Sequence, residues 1–286
     1  MANPEPRLST LLVLGRVSNL PTVWSNCLAA WLLNGGGSCV VFLLLCAGAT
    51  LLYVGGMYLN DAFDAAFDRE FRRERPIPVG QISLRDVWWF GGLFIFLGWV
   101  LLFLISNTVA WIGLALVAAI ILYDAIHKQT EAAPFIMAAC RWLLYLVAGA
   151  ATLHHLNPPV IWHGLGLAAY IVGLSFLARG ESGSGKPSLW PLLLVSVPII
   201  VNLWMEPQRS VFSWLGAIGL VAWLLWCVRR LRQEAKPNVG RVVAGLLAGI
   251  VLVDCVAVAT LSFGVALVFV CLFFLALVMQ RIVPAT

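Results

Sequence analysis

The sequence predicts an all-α fold, a polytopic transmembrane helical bundle of nine to ten spans around a central cavity that opens to the cytoplasmic side. Three observations predict it. Of the 286 residues, 62% are hydrophobic and only 11% are charged, whereas about 25% of the residues in soluble domains are charged. The apolar residues form runs close to the roughly 20 residues that a helix needs to cross a bilayer. The links between these runs are short and are polar or rich in glycine and proline.

The apolar runs number ten when each one is bounded by its nearest polar link. Residues 8–16 are apolar too, but Gly15 and Arg16 interrupt them, so we expect an interfacial segment that leads into the first span. A short kink near Leu261–Gly264 separates the last two runs, and merging them would reduce the count to nine. The predicted spans are residues 17–34, 39–59, 86–105, 108–126, 134–153, 160–178, 188–204, 211–230, 240–260 and 263–280. We expect one membrane domain over residues 1–286.

The basic residues predict the orientation of the bundle. When the loops are assigned alternately to two sides, all but one of the 18 Lys and Arg residues fall on one side, Arg141 included, and only Arg209 falls on the other. Loops rich in Lys and Arg are retained in the cytoplasm. We therefore expect a multi-pass protein of the inner (plasma) membrane with a cytoplasmic N-terminus. A net charge of +5 that follows membrane topology does not indicate a nucleic-acid partner.

An acidic array follows the second span and carries the strongest chemical signal. If the helix continues, Asn60, Asp64 and Asp68 are spaced i, i+4 and i+8, and Asp61 joins them on the same face. Stacked carboxylates near hydrocarbon are costly to keep ionised, and a divalent cation would relieve that cost. Oxygen ligands suit Mg²⁺, which commonly bridges to substrate phosphates. The alternative is a solvated acidic helix end that is neutralised by Arg69, Arg72 and Arg73.

Basic and aromatic residues near this array indicate a phosphate partner. Arg72 and Arg75 carry guanidinium groups that match phosphate oxygens, and the stretch Pro76–Gly80 predicts a stiff loop that holds Arg75 in place. Tyr123 and Lys128, at the same end of the fourth span, are further donors. The arginines could equally serve as positive charges that anchor a cytoplasmic loop. Tyr123 could equally be an aromatic residue at the membrane interface, and Lys128 a lysine that extends its charge to the interface. His127 has no evident metal-ligand partner in the sequence.

The loop after the sixth span has the spacing of a nucleotide-binding loop without its chemistry. Residues 180–186 fit GxxxxGK, but Pro187 stands where Ser or Thr is needed, and a membrane span precedes the loop. We expect a flexible loop with Arg179 and Glu181 at its root, facing the same cavity.

Asp254 is predicted to lie in the middle of the ninth span. An intramembrane carboxylate is a functional candidate by default, although a hydrogen-bonded packing role fits equally well. Gly245 and Gly249 form a GxxxG pattern that predicts helix packing. The seven cysteines show no CxxC spacing, so neither a zinc site nor a disulfide framework is expected.

The motif Asn60-Asp61-x-x-Asp64-x-x-x-Asp68, followed by Arg75-Pro76-Ile77-Pro78-x-Gly80, resembles the first signature of the UbiA-type intramembrane prenyltransferases. Arg16, Asn19 and Pro21 at the entry to the first span also resemble that family. The resemblance implies an all-helical bundle, usually of nine spans, that transfers an isoprenyl group from a prenyl diphosphate to an acceptor, often aromatic, with Mg²⁺ as cofactor.

The resemblance also implies residue roles. Asn60, Asp64 and Asp68 would be catalytic metal ligands, with Asp61 beside them and Glu181 as a further carboxylate. The diphosphate would be held by Arg16, Arg72, Arg75, Tyr123, Lys128 and Arg179. We expect three partners: a prenyl diphosphate, a lipophilic acceptor and the lipid bilayer.

The sequence departs from the family where a second acidic signature, DxxxD, usually follows the sixth span. Here the stretch reads Ser175-x-x-x-Arg179-x-Glu181, so Glu181 is its one carboxylate. In this respect the chain is similar to a divergent branch that includes the UbiA-like component of the bacterial Ebo gene cluster. The alternative function is therefore a non-catalytic or divergent component that binds or exports a prenyl lipid in a metabolite pathway.

Overall fold

The computed structural model describes residues 7–152, 155–179, 190–205, 211–233 and 239–285. These residues form thirteen α-helices and one short 3-10 turn, and the described ranges contain no β-strand. The predicted all-α class is confirmed. The helices are α1 Leu8–Leu14, α2 Leu20–Leu33, α3 Cys39–Phe63, α4 Ala65–Phe71, α5 Pro76–Val79, α6 Leu84–Phe103, α7 Asn107–Ile126, α8 Ala133–Ala150, α9 Pro158–Arg179, α10 Pro191–Met205, α11 Val211–Gln233, α12 Val239–Val258 and α13 Phe263–Ile282.

Within the described ranges, eight helices are long and apolar enough to cross a membrane: α3, α6, α7, α8, α9, α11, α12 and α13. Each of the ten predicted spans corresponds to one of these eight helices or to α2 or α10, which have only 14 and 15 residues. The prediction of nine to ten spans depends on counting these two shorter helices. The last two runs form separate helices, α12 and α13, with a break at residues 259–262.

Helix α12 lies at the centre of the bundle. In its apolar window 78% of the residues are buried, compared with 17% in α11 and in α13. It contacts α2, α9, α10, α11 and α13. Asp254, predicted to lie in the middle of its span, is four residues before the end of α12, and it is fully buried, so protein and not lipid surrounds it.

Glycines let α3 and α6 approach closely. A Cβ atom added at Gly98 would lie 2.9 Å from the backbone oxygen of Gly48, and one added at Gly91 would lie 2.8 Å from the Leu59 side chain. Small residues at such contacts allow two membrane helices to pack backbone against backbone. The packing fixes the position of the α3 end that carries Asn60.

The structure corrects two local expectations. The stretch Pro76–Gly80 is not a loop: Pro76–Val79 form one helical turn, which ends at Gly80 with a φ of +79°. Proline suits the first turn of a helix because its missing N–H group has no partner there, and glycine adopts the left-handed conformation that follows. Arg141, assigned above to one side with the loop cations, lies inside α8.

The prediction that the GxxxG segment serves helix packing is confirmed. A Cβ atom at Gly249 would lie 2.6 Å from the hydroxyl of Tyr170, so the GxxxG segment packs against α9. All seven cysteines are free thiols.

Candidate active site

The acidic array lies on one face of a nearly continuous helix, as its spacing predicts. Helix α3 ends at Phe63 and α4 begins at Ala65, but the backbone N–H of Asp64 still donates to Asn60 O at 3.0 Å. The N–H of Asp68 likewise donates to Asp64 O at 2.9 Å. All four polar residues are buried, with exposures of 3–8%. The array is therefore not a solvated acidic helix end.

Arg16 reaches the array from the turn before α2. It is the one non-glycine residue among the described residues with a positive φ, at 41°, a conformation that is uncommon for residues with a side chain. Its Nη2 donates to Asn60 Oδ1 at 3.2 Å and to Asp61 Oδ1 at 3.3 Å. The strained backbone directs the guanidinium at the acidic array, which fits a functional position.

The end of α7 supplies the opposite side of the site. Lys128 Nζ lies 2.8 Å from Asp64 Oδ1, and His127 Nε2 lies 3.5 Å from Asp64 Oδ2. Asn60 Nδ2 donates to Asp124 Oδ1 at 3.0 Å. We call Asn60, Asp61, Asp64, Asp68 and Asp124 the acidic cluster.

The sequence analysis did not identify Asp124 or His127 as parts of the site. His127, for which the sequence shows no metal-ligand partner, lies beside Asp64, and the two side chains meet only because α3 and α7 pack together. A signal was present in the sequence: Asp124 and Lys128 are spaced i and i+4, so they share one helix face.

The contacts around Asp64 shift the pKa of both partners. Burial raises the pKa of the Asp64 carboxyl, but the hydrogen bonds from His127 and Lys128 outweigh it and lower the pKa below its usual value. Burial lowers the pKa of His127, and the hydrogen bond and charge of Asp64 reverse this, so the net shift is upward. Each partner thus favours the charged form of the other.

Asp68 shows the opposite balance. Burial raises its pKa, and the charges of Lys128, Arg75 and Arg72 oppose that shift without cancelling it. Of its two oxygens, Oδ1 is buried without any hydrogen-bond partner among the described residues, and the same holds for Oδ2 of Asp124. Buried polar atoms without partners are rare and costly in native proteins. These two oxygens therefore have unused capacity to accept contacts from a ligand.

The acidic cluster fits Mg²⁺ shared with a phosphate, but not a metal held by protein alone. In the described part of the chain, no three His, Cys, Asp or Glu side chains stand close enough to hold a metal between them. Mg²⁺ keeps several waters and is usually bound by one or two carboxylates together with substrate phosphates. The unpartnered oxygens of Asp68 and Asp124 are ligands of the type that such an ion takes.

The other residues predicted to hold the diphosphate differ in burial and in the side chains that they contact. Arg72 is exposed, with its guanidinium carbon 6.0 Å from the Phe67 ring, and Arg75 is partly buried. Tyr123 stacks on His127 with ring centroids 5.0 Å apart, and Lys128 Nζ lies 3.6 Å from the centre of the Phe67 ring. Arg179 is the last residue of α9; its side chain and Glu181 lie outside the described parts of the chain.

An apolar cavity of about 350 Å³ lies within the bundle, and Asp124 is the member of the acidic cluster that lines it. Arg16, Tyr123 and Asp124 line it together with apolar residues of α2, α3, α7, α8, α9 and α12, such as Val23, Leu52, Ile120, Leu144, Leu174 and Leu247. Ligand pockets are typically apolar, with a few polar groups that fix the orientation of the ligand. Here the polar lining residues include Asp124 of α7, Arg16 from the turn before α2 and Arg141 of α8.

Asp254 is fully buried and its carboxylate is satisfied. Oδ2 accepts hydrogen bonds from Ser25 Oγ at 2.6 Å and Asn26 Nδ2 at 2.7 Å, and Oδ1 accepts one from the Tyr145 hydroxyl at 2.9 Å. Asn26 Oδ1 in turn accepts from Arg141 Nη1 at 2.7 Å. The hydrogen-bonded packing role considered for Asp254 therefore describes its contacts.

Comparison with known sequences identifies relatives of the chain. The model of the UbiA prenyltransferase family matches residues 18–243. The 4-hydroxybenzoate octaprenyltransferase of Pseudomonas aeruginosa is 29% identical over 195 residues, which cover 68% of this chain and 53% of that protein. The enzyme with the same name in Photobacterium profundum is 36% identical over 105 residues, 35% of each chain. The match to the Pseudomonas protein thus spans about half the length of that relative.

Solved structures share the fold. One reported for digeranylgeranylglyceryl phosphate synthase gives a TM-score of 0.63 at 19% identity, covering 88% of this chain and 97% of that one. A UbiA homologue from Archaeoglobus fulgidus bound to GPP and Mg²⁺ gives 0.54 at 13% identity, covering 96% and 97%. The helical bundle, its apolar spans and the sequence match agree: this chain is a multi-pass membrane protein and belongs to the UbiA prenyltransferase family.

Proposed function

We propose that the protein is a Mg²⁺-dependent prenyltransferase that moves an isoprenyl group from a prenyl diphosphate to an aromatic acceptor. The observation that carries this proposal is a pair of buried carboxylate oxygens without partners among the described residues, one on Asp124, which lines the apolar cavity, and one on Asp68 of the same acidic cluster. Relatives named 4-hydroxybenzoate octaprenyltransferase and a homologue that binds GPP and Mg²⁺ support the same chemistry.

Each side chain of the acidic cluster has a proposed role. Asn60, Asp64 and Asp68 are the metal ligands, with Asp61 and Asp124 beside them. When bound with the substrate, Mg²⁺ neutralises charge on the departing diphosphate. Lys128 and Arg16 contact Asp64 and Asp61, and we propose that the same two cations, held beside the cluster by these contacts, also bind the phosphate oxygens of the substrate.

Basic side chains assist the departure of the diphosphate. The bond between the allylic carbon and oxygen breaks, and its electron pair leaves with the diphosphate. Charge develops on those oxygens, so cations already held in place lower the barrier without reorganisation. Arg72, Arg75 and Tyr123 are further proposed donors, and Arg179 and Glu181 are proposed contributors from the loop after α9.

The cavity serves the acceptor half of the reaction. Its apolar walls exclude the water that would otherwise capture the allylic cation. A ring carbon of the acceptor supplies the electron pair for the new carbon–carbon bond, and the proton of that carbon leaves to a diphosphate oxygen. We further propose that the site faces the cytoplasm of the inner membrane, because the alternating assignment of loops puts nearly all Lys and Arg residues on the side of the acidic array.

A second candidate function is supported by one observation. The chain has Arg179 and only Glu181 where the family usually has a second acidic signature. A protein with one acidic signature could bind or export a prenyl lipid without transferring its prenyl group. That candidate predicts Mg²⁺-dependent binding of prenyl diphosphate with no release of diphosphate.

The test is turnover by purified protein. Detergent-solubilised protein is incubated with Mg²⁺, labelled prenyl diphosphates of increasing length and 4-hydroxybenzoate, and products are identified by mass spectrometry. We expect Asp64→Asn to lower turnover by about 100- to 1,000-fold, comparable to the loss of one transition-state contact. Glu70→Gln, which removes an exposed carboxylate from α4, is the control and should retain activity. Wild-type turnover in Asp64→Asn would show that the site is wrong, and binding without diphosphate release would favour the second candidate.

A further inference from the structure

The segment that follows α13 packs into the bundle although it belongs to no helix. Helix α13 ends at Ile282, and the chain continues in an extended conformation, with a φ of −124° and a ψ of 124° at Val283. Val283 and Ala285 are each 6% exposed, whereas Pro284 between them is exposed. We call the three residues after Ile282 the tail segment. Its alternating burial shows that one face of it is turned to the protein.

The tail segment is held by the short 3-10 turn Val17–Asn19, which precedes α2. Asn19 Nδ2 donates to Ala285 O at 2.9 Å, and Ser18 Oγ donates to Pro284 O at 3.5 Å. Both donor residues are buried, with exposures of 0% for Ser18 and 4% for Asn19. Helix α13 packs on the same turn. The turn and the tail segment, 266 residues apart in the sequence, therefore form one contact.

Asn19 connects this contact to Arg16. Its backbone N–H donates to Arg16 O at 3.0 Å, while its side chain holds Ala285. The Tyr53 hydroxyl donates to Arg16 O as well, at 3.5 Å. Arg16 has the strained φ of 41°, and a strained backbone persists only where the surrounding structure over-determines it. Asn19, Tyr53 and the tail segment supply such surroundings.

The Arg16 side chain extends the effect of this turn to the acidic cluster. Arg16 lies between α1, which ends at Leu14, and α2, which begins at Leu20. Its Nη2 donates to Asn60 Oδ1 and Asp61 Oδ1. Because the guanidinium is at the end of a long side chain, a small rotation of the Arg16 backbone would move it away from both oxygens. The position of this cation therefore depends on what holds the turn.

The tail segment also forms part of the cavity wall. Ala285 lines the cavity together with Arg16 and Asn19. The tail segment thus lies beside the cation that we propose to bind phosphate oxygens. Because Asn19 lines the cavity too, a direct contact between its amide and a ligand is the rival explanation for a role of this residue.

We propose that Asn19 and the tail segment are positioning elements for the prenyl diphosphate, because they hold the turn that keeps the Arg16 guanidinium at the acidic cluster. This inference rests on the proposed function, which assigns phosphate binding to Arg16. It adds to the site a segment that follows α13. Asn19 and the tail segment act through Arg16 and do not contact the reacting atoms.

A double-mutant cycle on ligand binding tests this role. The ligand is geranyl thiolodiphosphate, in which sulfur replaces the oxygen of the bond that breaks, so it binds without transfer. Its affinity for the whole chain in detergent is measured with Mg²⁺. We expect Arg16→Met to weaken binding by about 10- to 100-fold, as for a lost charged hydrogen bond. Asn19→Ala should weaken it by about 3- to 10-fold, in the range of couplings between neighbouring residues.

The second background separates positioning from direct contact. In Arg16→Met, the further change Asn19→Ala should leave the affinity unchanged, because the residue through which Asn19 acts is gone. A direct contact of Asn19 with the ligand would instead weaken binding equally in both backgrounds. Asn107→Ala, which removes an exposed amide at the start of α7, is the control and should bind as the wild type does.

A variant that ends at Ile282 tests the tail segment separately. It leaves the Asn19 side chain in place, so a direct contact of Asn19 with the ligand would survive. We expect weaker binding of geranyl thiolodiphosphate, comparable to that of Asn19→Ala, and again no further loss in the Arg16→Met background. Thermal unfolding in detergent shows whether the shortened protein is folded. If it is not, the cycle with Asn19→Ala decides alone.

Two results would overturn the positioning role. One is a loss of affinity in Asn19→Ala that is the same with and without the Arg16 guanidinium. The other is wild-type affinity in both Asn19→Ala and the folded shortened variant. The cycle does not depend on turnover, so a wild type that binds the analogue but transfers no prenyl group would fail the proposed transfer and leave this inference standing.

Discussion

Asp254 and the acidic cluster are both buried, yet their carboxylate oxygens have very different surroundings. Both oxygens of Asp254 accept hydrogen bonds from neutral donors on α2 and α8. In the cluster, by contrast, Asp68 Oδ1 and Asp124 Oδ2 have no partner among the described residues, while Asp64 is paired with two basic side chains. Burial alone therefore does not identify a ligand site, and the unpartnered oxygens of Asp68 and Asp124 are what distinguishes the acidic cluster from Asp254.

The largest expected effect on stability comes from the satisfied region. Asp254→Ala strands the donors of Ser25, Asn26 and Tyr145, and each buried donor without a partner costs about 1–3 kcal/mol. We expect a loss of about 2–4 kcal/mol in the free energy of unfolding, followed by thermal or denaturant unfolding in detergent. Glu70→Ala, at an exposed position, should change it by less than about 0.5 kcal/mol. Equal stability of the two variants would break the comparison.

The next largest effect is expected on substrate binding at the acidic cluster. Lys128 contacts Asp64 at 2.8 Å and is the basic residue nearest to that carboxylate in the described structure. We expect Lys128→Gln to raise KM for prenyl diphosphate by about 10- to 100-fold, the size expected for a lost charged hydrogen bond. Steady-state kinetics at saturating acceptor measure it, with Arg85→Gln as an exposed control. An unchanged KM would assign Lys128 to neutralising Asp64 only.

The smallest effect concerns the scaffold beneath the cluster. A methyl group at Gly91 meets Leu59, the neighbour of Asn60, at 2.8 Å, whereas one at Gly92 meets nothing within 4 Å. Overpacking typically costs about 1–3 kcal/mol, so Gly91→Ala should lower the unfolding free energy by about 1 kcal/mol or more. Gly92→Ala should be neutral. Two adjacent substitutions with the same effect would show that α3 does not depend on its close contact with α6.

The sequence predicts local features of this site better than its three-dimensional contacts. The spacing of Asn60, Asp64 and Asp68 fixes them on one helix face whatever the rest of the fold does, and they are found there. The pairing of Asp64 with His127 could not be predicted, because it depends on how α3 and α7 pack. A helix position fixes the direction of a side chain relative to its own axis, and the partner on another helix is set by tertiary packing.

The same limit applies to the fold and to Arg141. Hydrophobic runs located the long helices, since lipid exposure requires about 20 apolar residues in a row. The count of Lys and Arg on alternate loops assigned Arg141 to one side of the membrane, because such a count does not consider which face of a helix carries the charge. Its contact with Asn26 joins α8 to α2 across 115 residues, a distance at which local patterns carry no information.

In the proposed function, the unpartnered oxygens of the acidic cluster hold a divalent ion together with a diphosphate. Electron paramagnetic resonance of Mn²⁺, used in place of Mg²⁺, measures this directly in the detergent-purified protein. The account predicts tight Mn²⁺ binding when the geranyl thiolodiphosphate is present, loss of that binding in Asp68→Asn and its retention in Glu70→Gln. Binding of Mn²⁺ and the diphosphate in Asp68→Asn at the wild-type level would contradict it.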